Sequence, residues 1–514
     1  MYSNSLEEAI QMVELNLPSN LPVHSKWLAL KLLDDDFELL QTLKQNYQVN
    51  TKEIQQAINQ ARSYLSVHQV NLSDIKEIVV NKLVTLSEFI AHQVVSFKNE
   101  NYQKRDRKID HFLTSKWTGI PFMLLLLMGI FWITIEGANV PSSLLFEFFT
   151  WLEGHISSFF LSLSFPVWLH DLLVLGIYRV VAWVTAVMLP PMAIFFPLFT
   201  LLEDLGVLPR IAFNLDRGFK KCKTCGKQAL TMCMGFGCNA AGVTGARIID
   251  SPRERLIAIL TNSFVPCNGR FPTLISIITM FFVGVSMQGG LQTICNVLIL
   301  TAMILLGIFM TFFISNILSK TILKGIPSSF TLELPPYRKP QIGKVIVRSI
   351  FDRTLFVLGR ALVVAVPAGL LIWVMANVSI GGISVLQQCA NFLDPFAKLL
   401  GLDGIILMAF ILGFPANEIV IPIIIMAYMQ TGSLSEFDNL LALKGLLVSH
   451  GWTWVTALCT MLFSLMHWPC STTCLTIKKE TGSWKWTFLS FLIPTVCGIV
   501  VCALVANTLH LFGF

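Results

Sequence analysis

Between Gly404 and Gln430 the sequence GIILMAFILGFPANEIVIPIIIMAYMQ carries a single charge, Glu418. At about 1.5 Å per residue this stretch is long enough to cross a bilayer core of about 30 Å. A carboxylate near the centre of such a run costs at least about 2.5 kcal/mol unless something satisfies it. Gly413-Phe414-Pro415-Ala416 precedes Asn417 and Glu418. Pro415 cannot donate a backbone bond and Gly413 is conformationally free, so the helix is expected to break there. A broken membrane helix with polar groups at the break is a common way to build a transport site.

Three other stretches have the same character. Gly235-Phe236-Gly237-Cys238-Asn239 sets a thiol and an amide beside two glycines. Val265-Pro266-Cys267-Asn268-Gly269-Arg270-Phe271-Pro272 brackets another Cys-Asn pair with prolines. His467-Trp468-Pro469-Cys470 again puts a thiol after a proline. A break frees backbone carbonyls, which are hard oxygen ligands, and a thiolate adds a softer one. With a carboxylate, such a set suits a divalent transition metal better than Mg²⁺ or K⁺. The candidate ligands are Cys238, Cys267, Cys470 and Glu418, with Asn239 and Asn417 offering amide oxygens. The same cysteines also suit a plain packing role as small residues between close helices. Arg270 requires a carboxylate, carbonyls or water nearby, and His467 reads as a hydrogen-bonded structural histidine rather than a ligand.

Other polar features read as less specific. Cys222-Lys223-Thr224-Cys225 is a CxxC in a basic loop, with no second CxxC to complete a structural zinc site. Glu203-Asp204 ends an apolar run at the expected interface, and Lys478-Lys479-Glu480 reads as a solvated turn. The sequence has no GxxxxGK[ST], GxSxG or HExxH; Gly226-Lys227 and Gly343-Lys344 lack the following Ser or Thr. The expectation is a transporter rather than an enzyme, with no permanently bound cofactor.

The elements that must position these motifs are membrane helices. The 514 residues are 54% hydrophobic and 13% charged, against about 25% charged in a soluble domain. The net charge of +6 reads as a loop bias rather than nucleic-acid binding. The expected fold is all-α: a soluble helical domain, then roughly eight to ten membrane helices with half-helices at the breaks. Residues 1–112 form the soluble part, with helical spacing at Trp27–Leu33, at Ile54, Ile58, Ala61 and Leu65, and at Ile75, Ile78, Val79, Leu83 and Leu86. Residues 113–180 hold the first span and an interfacial amphipathic helix near 142–164. A first repeat covers 181–275, a connecting region and basic loop 276–345, a second repeat 346–465, and a final signature and helix 466–514. Residues 382–400 are a second interfacial candidate. Lys104-Arg105-Asp106-Arg107-Lys108 before the first span places the N-terminus in the cytosol.

In this order the motifs resemble the membrane part of the bacterial ferrous iron transport protein B (FeoB) family. Leu201–Phe213 with Asp216-Arg217 resembles the approach to its first Gate repeat. Met234–Asn239 and Cys267–Pro272 are similar to the first Gate signatures, Gly413–Pro422 to the second, and Pro469-Cys470 with Lys479–Trp486 to the C-terminal one. Residues 1–112 resemble the helical spacer that follows the family's GTPase domain. The chain departs from the family in beginning at that spacer, and at Asn268-Gly269, where many relatives carry Ser-Ala. The resemblance implies Fe²⁺ uptake across the bacterial inner membrane, with Fe²⁺ as transported substrate. The departure leaves two readings, a separate small GTPase acting in trans or a chain that works without one, and the resemblance also implies a small FeoA-like regulator. Membrane lipid, and a second copy of the chain, are the other expected partners. Fe²⁺ sits low in the affinity order, so ligand type alone leaves Mn²⁺ and Zn²⁺ open. Two other functions stay open on the residues: a Gate-type carrier of an organic solute such as a nucleoside, and a thiol-redox or receptor protein using Cys222 and Cys225.

Overall fold

A computed structural model describes residues 4–18, 23–33, 39, 43, 51–68, 75–95, 104–284, 290–324, 337, 341–434 and 440–512. The chain divides into two compact units, one essentially Met1–Arg105 and the other the remainder. In the first, α1 (Asn4–Glu14), α2 (Ser25–Leu33), α3 (Thr51–Val67) and α4 (Ile75–Val94) follow one another. Leu6, Ala9, Ile10 and Val13 of α1 interlock with Leu28, Leu32, Ile54, Ile58, Ala61 and Leu65, the 3–4 spacing of a helix with one apolar face. The expected stripe on α4 holds only in part. Ile75 is buried, but Leu83 and Leu86 remain 47% and 43% exposed, because α4 runs past the small core of this unit.

The second unit is a helical bundle with one short hairpin, Ser379–Ile380 against Ile383–Ser384. Its helices are α5 (Lys104–Thr114), α6 (Lys116–Ser162), α7 (Val167–Asp204), α8 (Val207–Lys221), α9 (Lys227–Gly237), α10 (Asn239–Gly245), α11 (Pro252–Thr261), α12 (Phe271–Ile277) and α13 (Gly290–Lys320). There follow α14 (Ile342–Arg348), α15 (Phe356–Asn377), α16 (Val385–Leu399), α17 (Gly404–Leu412), α18 (Val420–Met429), α19 (Leu440–Ser449), α20 (Trp454–Met466), α21 (Ser471–Thr481) and α22 (Trp484–Leu511). Among the described residues five helices are long and apolar enough to cross a membrane, or up to seven if each sharply bent pair is one span. The bends are 110° between α16 and α17 and 106° after α19. No half of the broken helices exceeds 13 residues, so each is too short to span alone.

Two expectations change. The separate interfacial helix near 142–164 is the end of one continuous helix, α6, whose 47 residues extend about 70 Å. Its Pro121 and Pro141 do not stop it. More important, Gly404–Gln430 does not cross. The Tyr428 hydroxyl donates to Asp403, although a straight helix would hold the two about 37 Å apart. The segment enters as α17, turns at Gly413–Ala416 and returns as α18 to the same end. The physical cause is the Gly-Phe-Pro-Ala turn, where Ala416 is extended (φ −152°, ψ 118°).

The first repeat does the same from the opposite end. Lys227 Nζ at the start of α9 lies 2.6 Å from Asp250 Oδ2 just past α10, so this pair is also re-entrant, turning at Cys238 (φ −155°, ψ 127°). Two spans complete the symmetry, α11–α12 rising and α20–α21 descending. They break at Cys267 (φ −83°, ψ 168°) and Cys470 (φ −62°, ψ 159°). The similar dihedrals at matched positions, with tips entering from opposite ends, mark two structural repeats of inverted direction. Contacts tie the remaining loops to one end or the other. At the α9 end, Arg247 pairs with Glu480 at 2.7 Å and Arg210 with Asp110 at 3.0 Å. At the α17 end, Arg179 binds Glu153 and Ser433.

Candidate functional site

The tips of the two re-entrant pairs meet the breaks of the two spans around one enclosed cavity of about 30 Å³. That volume holds one or two water-sized bodies. Cys238, Asn239, Cys267, Asn417, Glu418 and Cys470 all line it, together with Asn268, Gly269, Pro415, Ala416 and Thr472. The structure therefore brings together every ligand candidate of the sequence, from four different elements. The two tips align residue for residue: Gly235-Phe236-Gly237-Cys238-Asn239-Ala240 against Gly413-Phe414-Pro415-Ala416-Asn417-Glu418. Each repeat supplies an asparagine and a Pro-Cys step. Cys238 comes from the first tip alone and Glu418 from the second alone.

Glu418 is 6% exposed, and among the described residues its carboxylate has no ion-pair partner. It lies on Gly269, whose missing side chain makes the space. A Cβ there would stand 2.7 Å from the Glu418 Cδ and nearer still to Oε1. The glycine flagged as a departure from the family is thus the seat of the one buried carboxylate in the cavity wall.

The asparagines are oriented by their neighbours. The Asn239 amide, set to satisfy its surroundings, donates to Val265 O and Gly235 O, both at 3.1 Å. Its oxygen then takes the position that faces donors. His467 Nδ1 lies 2.9 Å from Ser464 O, so it carries the ring proton, and Nε2 lies 3.2 Å from the Asn417 amide. The Asn417 atom nearest Nε2 is Oδ1, so the ring fixes which way this amide points at the cavity wall. His467 is therefore a positioning residue, as its type suggested.

The expectation that breaks offer free carbonyls needs correction, because side chains claim many of them. Arg270, 1% exposed, donates to Ser263 O (2.9 Å), Leu465 O (2.8 Å), His467 O and Trp468 O (both 3.3 Å). One guanidinium thereby satisfies carbonyls on both broken spans at their helix ends, where a cation is favoured. Asn262 Nδ2 takes Asn239 O at 2.9 Å, and the Ser471 N–H takes Phe414 O at 2.9 Å. What remains for an ion is chiefly side-chain sulfur and oxygen. Among the described residues no three His, Cys, Asp or Glu side chains are grouped closely enough to hold a metal ion. The donors surround the cavity without closing on its centre.

Sequence reasoning missed Met188 and Met192, whose elements place them in the cavity wall from α7. Their i, i+4 spacing around Pro190-Pro191 was the available signal, and thioethers are soft donors. Thr472, in the first turn of α21, was missed for lack of any motif. The CxxC lies away from the cavity. Cys222 and Cys225 are both free, and burial beside Glu254 pushes the Cys225 thiol up to about 12.

Comparison with known proteins adds to this geometry. A family model described as nucleoside recognition, the Gate model, matches residues 185–281 and 358–484, the two inverted repeats. A model of the ferrous iron transport protein B C terminus matches 300–352, and one of the FeoB cytosolic helical domain matches 2–96. The chain belongs to the FeoB family. The Fe(2+) transporter FeoB of Staphylococcus aureus (strain MSSA476) is 27% identical over 99% of this chain and 74% of its own length. The Fe(2+) transporter FeoB of Methanocaldococcus jannaschii is 25% identical over 94% of this chain and 69% of its own. A Fe(2+) transport protein A/Fe(2+) transporter FeoB fusion protein of Porphyromonas gingivalis is 25% identical over 98% of this chain and 64% of its own. The chain thus spans about two thirds to three quarters of these FeoB relatives. No solved structure matches it significantly.

Proposed function

We propose that the chain carries Fe²⁺, as substrate, across a bacterial inner membrane through the cavity between its two inverted repeats. The observation that supports this best is the meeting of three thiols, one carboxylate and two asparagine amides where the tips entering from opposite ends reach the breaks of the two spans. Cys238, Cys267 and Cys470 act as transient ligands, Glu418 balances the dication, and Asn239 and Asn417 add neutral oxygens. A wall that surrounds the centre without closing on it suits passage, where binding must be weak enough for release. FeoB relatives named as Fe(2+) transporters support iron over Mn²⁺ and Zn²⁺.

Orientation follows from charge. The end that holds Arg210, Lys223, Lys227, Arg247 and Arg253 carries more Lys and Arg than the end that holds Arg179, Lys398 and Lys444, which supports reading it as the cytosolic end. The basic run Lys104–Lys108 before the first span supports a cytosolic N-terminus as well. Any nucleotide coupling comes from a GTPase outside these residues, and the fusion relative supports a FeoA-like regulator as partner.

The test is Fe²⁺ uptake into proteoliposomes by Cys238→Ser, Cys267→Ser, Cys470→Ser and Glu418→Gln. Loss of uptake in these variants with an unchanged melting temperature is expected; wild-type uptake in all four refutes the assignment. The description of the Gate model favours an organic solute, but a cavity of about 30 Å³ is about tenfold below the smallest ordinary small-molecule pocket. Thermal stabilisation by Fe²⁺ and not by nucleosides separates the two.

A further inference from the structure

A larger cavity lies outside the ion site. It is an open groove of about 540 Å³ between α15 and α21, lined by Leu355, Gly359, Arg360, Val363, Thr472, Leu475 and Lys479. On α15 the lining follows 359, 360 and 363, and on α21 it follows 472, 475 and 479, so each helix turns one continuous stripe to the groove. The composition is graded. Val363 and Leu475, 74% and 55% exposed, make an apolar channel, while Arg360 and Lys479 put two cations on the same groove. Arg360 is held by a bond to Thr476 Oγ1 at 3.1 Å. Gly359 leaves the floor open, for a Cβ there would meet nothing within 4 Å.

Depth fits a lipid. Lys479 lies nine residues beyond the break at Cys470, about 13 Å along the helix. With that break near the midplane, Lys479 reaches the headgroup boundary about 15 Å out. Arg360 stands one turn inside the end of the span Val357–Asn377. An apolar groove ending in two cations at that level matches an acyl chain ending in a phosphate.

We propose that this groove binds an anionic phospholipid of the cytosolic leaflet, its phosphate between Arg360 and Lys479 and an acyl chain against Gly359, Val363 and Leu475. Thr472 lines this groove, the ion cavity, and a third space beside Ala240 and Thr244. The lipid therefore sits against the same α21 turn that walls the ion site.

The experiment needs no transport, so its outcome is independent of the ion reading. The purified chain is placed in nanodiscs of phosphatidylcholine alone or with added phosphatidylglycerol, and melting and retained lipid by native mass spectrometry are measured. Phosphatidylglycerol should raise the melting temperature and be retained. Lys479→Gln should weaken retention about fivefold. Gly359→Leu, which fills the groove without touching charge, should abolish it. Equal effects of the two lipids, unchanged retention in Lys479→Gln and Gly359→Leu, or equal stabilisation by inorganic phosphate in detergent would each overturn the proposal.

Discussion

Substituting Gly269 by alanine changes one methyl group and tests the whole geometry of the cavity. The new Cβ would stand 2.7 Å from the Glu418 Cδ, whereas ordinary contact begins at 3.4 Å. Gly269 lies in the short helical turn after the break and is buried. With the backbone held there by the Arg270 bonds to four carbonyls, the carboxylate has to give way by at least about 0.7 Å. Binding sites tolerate about 0.5 Å, and a displacement of about 1 Å can cost on the order of 100-fold. Fe²⁺ uptake by Gly269→Ala should therefore fall about tenfold or more, with melting changed little. Glu418→Asp withdraws the carboxylate by one methylene, so the double variant Gly269→Ala/Glu418→Asp should recover part of the loss, a coupling that a simple folding defect would not produce. Uptake and Fe²⁺-induced melting shifts in proteoliposomes give both readouts. Wild-type uptake by Gly269→Ala, or strictly additive losses in the double variant, would show that the Glu418 position does not matter to transport.

Three further outcomes follow from the same structure. Arg270→Met leaves four buried carbonyls without their donor and should cost about 3 kcal/mol or more, read as a lower melting temperature in detergent, with Arg270→Lys intermediate. The Cys225 thiol is pushed up to about 12 from an ordinary 9.0, so its thiolate at pH 8 is about 1000-fold scarcer than that of an ordinary cysteine; iodoacetamide labelling followed by mass spectrometry should be correspondingly slow at Cys225, and transport should survive alkylation of the CxxC. Tyr337 donates to Asp110 at 2.7 Å, and burial with that carboxylate pushes its hydroxyl up to about 12 from 10.0. The folded state thus favours the protonated phenol, a contribution complete below pH 10 and lost as pH rises towards 12; melting curves between pH 9 and 12 should show a steeper alkaline fall than in Tyr337→Phe.

Much of this protein was legible without coordinates. Low charge and long apolar runs dictate membrane helices, because backbone groups in lipid must be satisfied within the segment. Glycine, proline and asparagine at Gly235–Asn239 and Gly413–Glu418 dictate breaks, and a cysteine or carboxylate at a break is visible as a residue type. Sequence spacing could not tell a crossing helix from a re-entrant one. Gly404–Gln430 has the length to cross, and only the Asp403–Tyr428 contact reveals the return. Nor could it say which freed carbonyls were already taken, since Arg270 reaches residues as far as 198 positions away.

By itself, then, the sequence determined what kinds of groups lie where the helices fail, since chain composition and local backbone preference act over a few residues. The tertiary structure decided that four such failures converge on one small cavity, and that Gly269 of one repeat makes room for Glu418 of the other. Convergence depends on the inverted packing of two repeats, a long-range arrangement that no local pattern encodes.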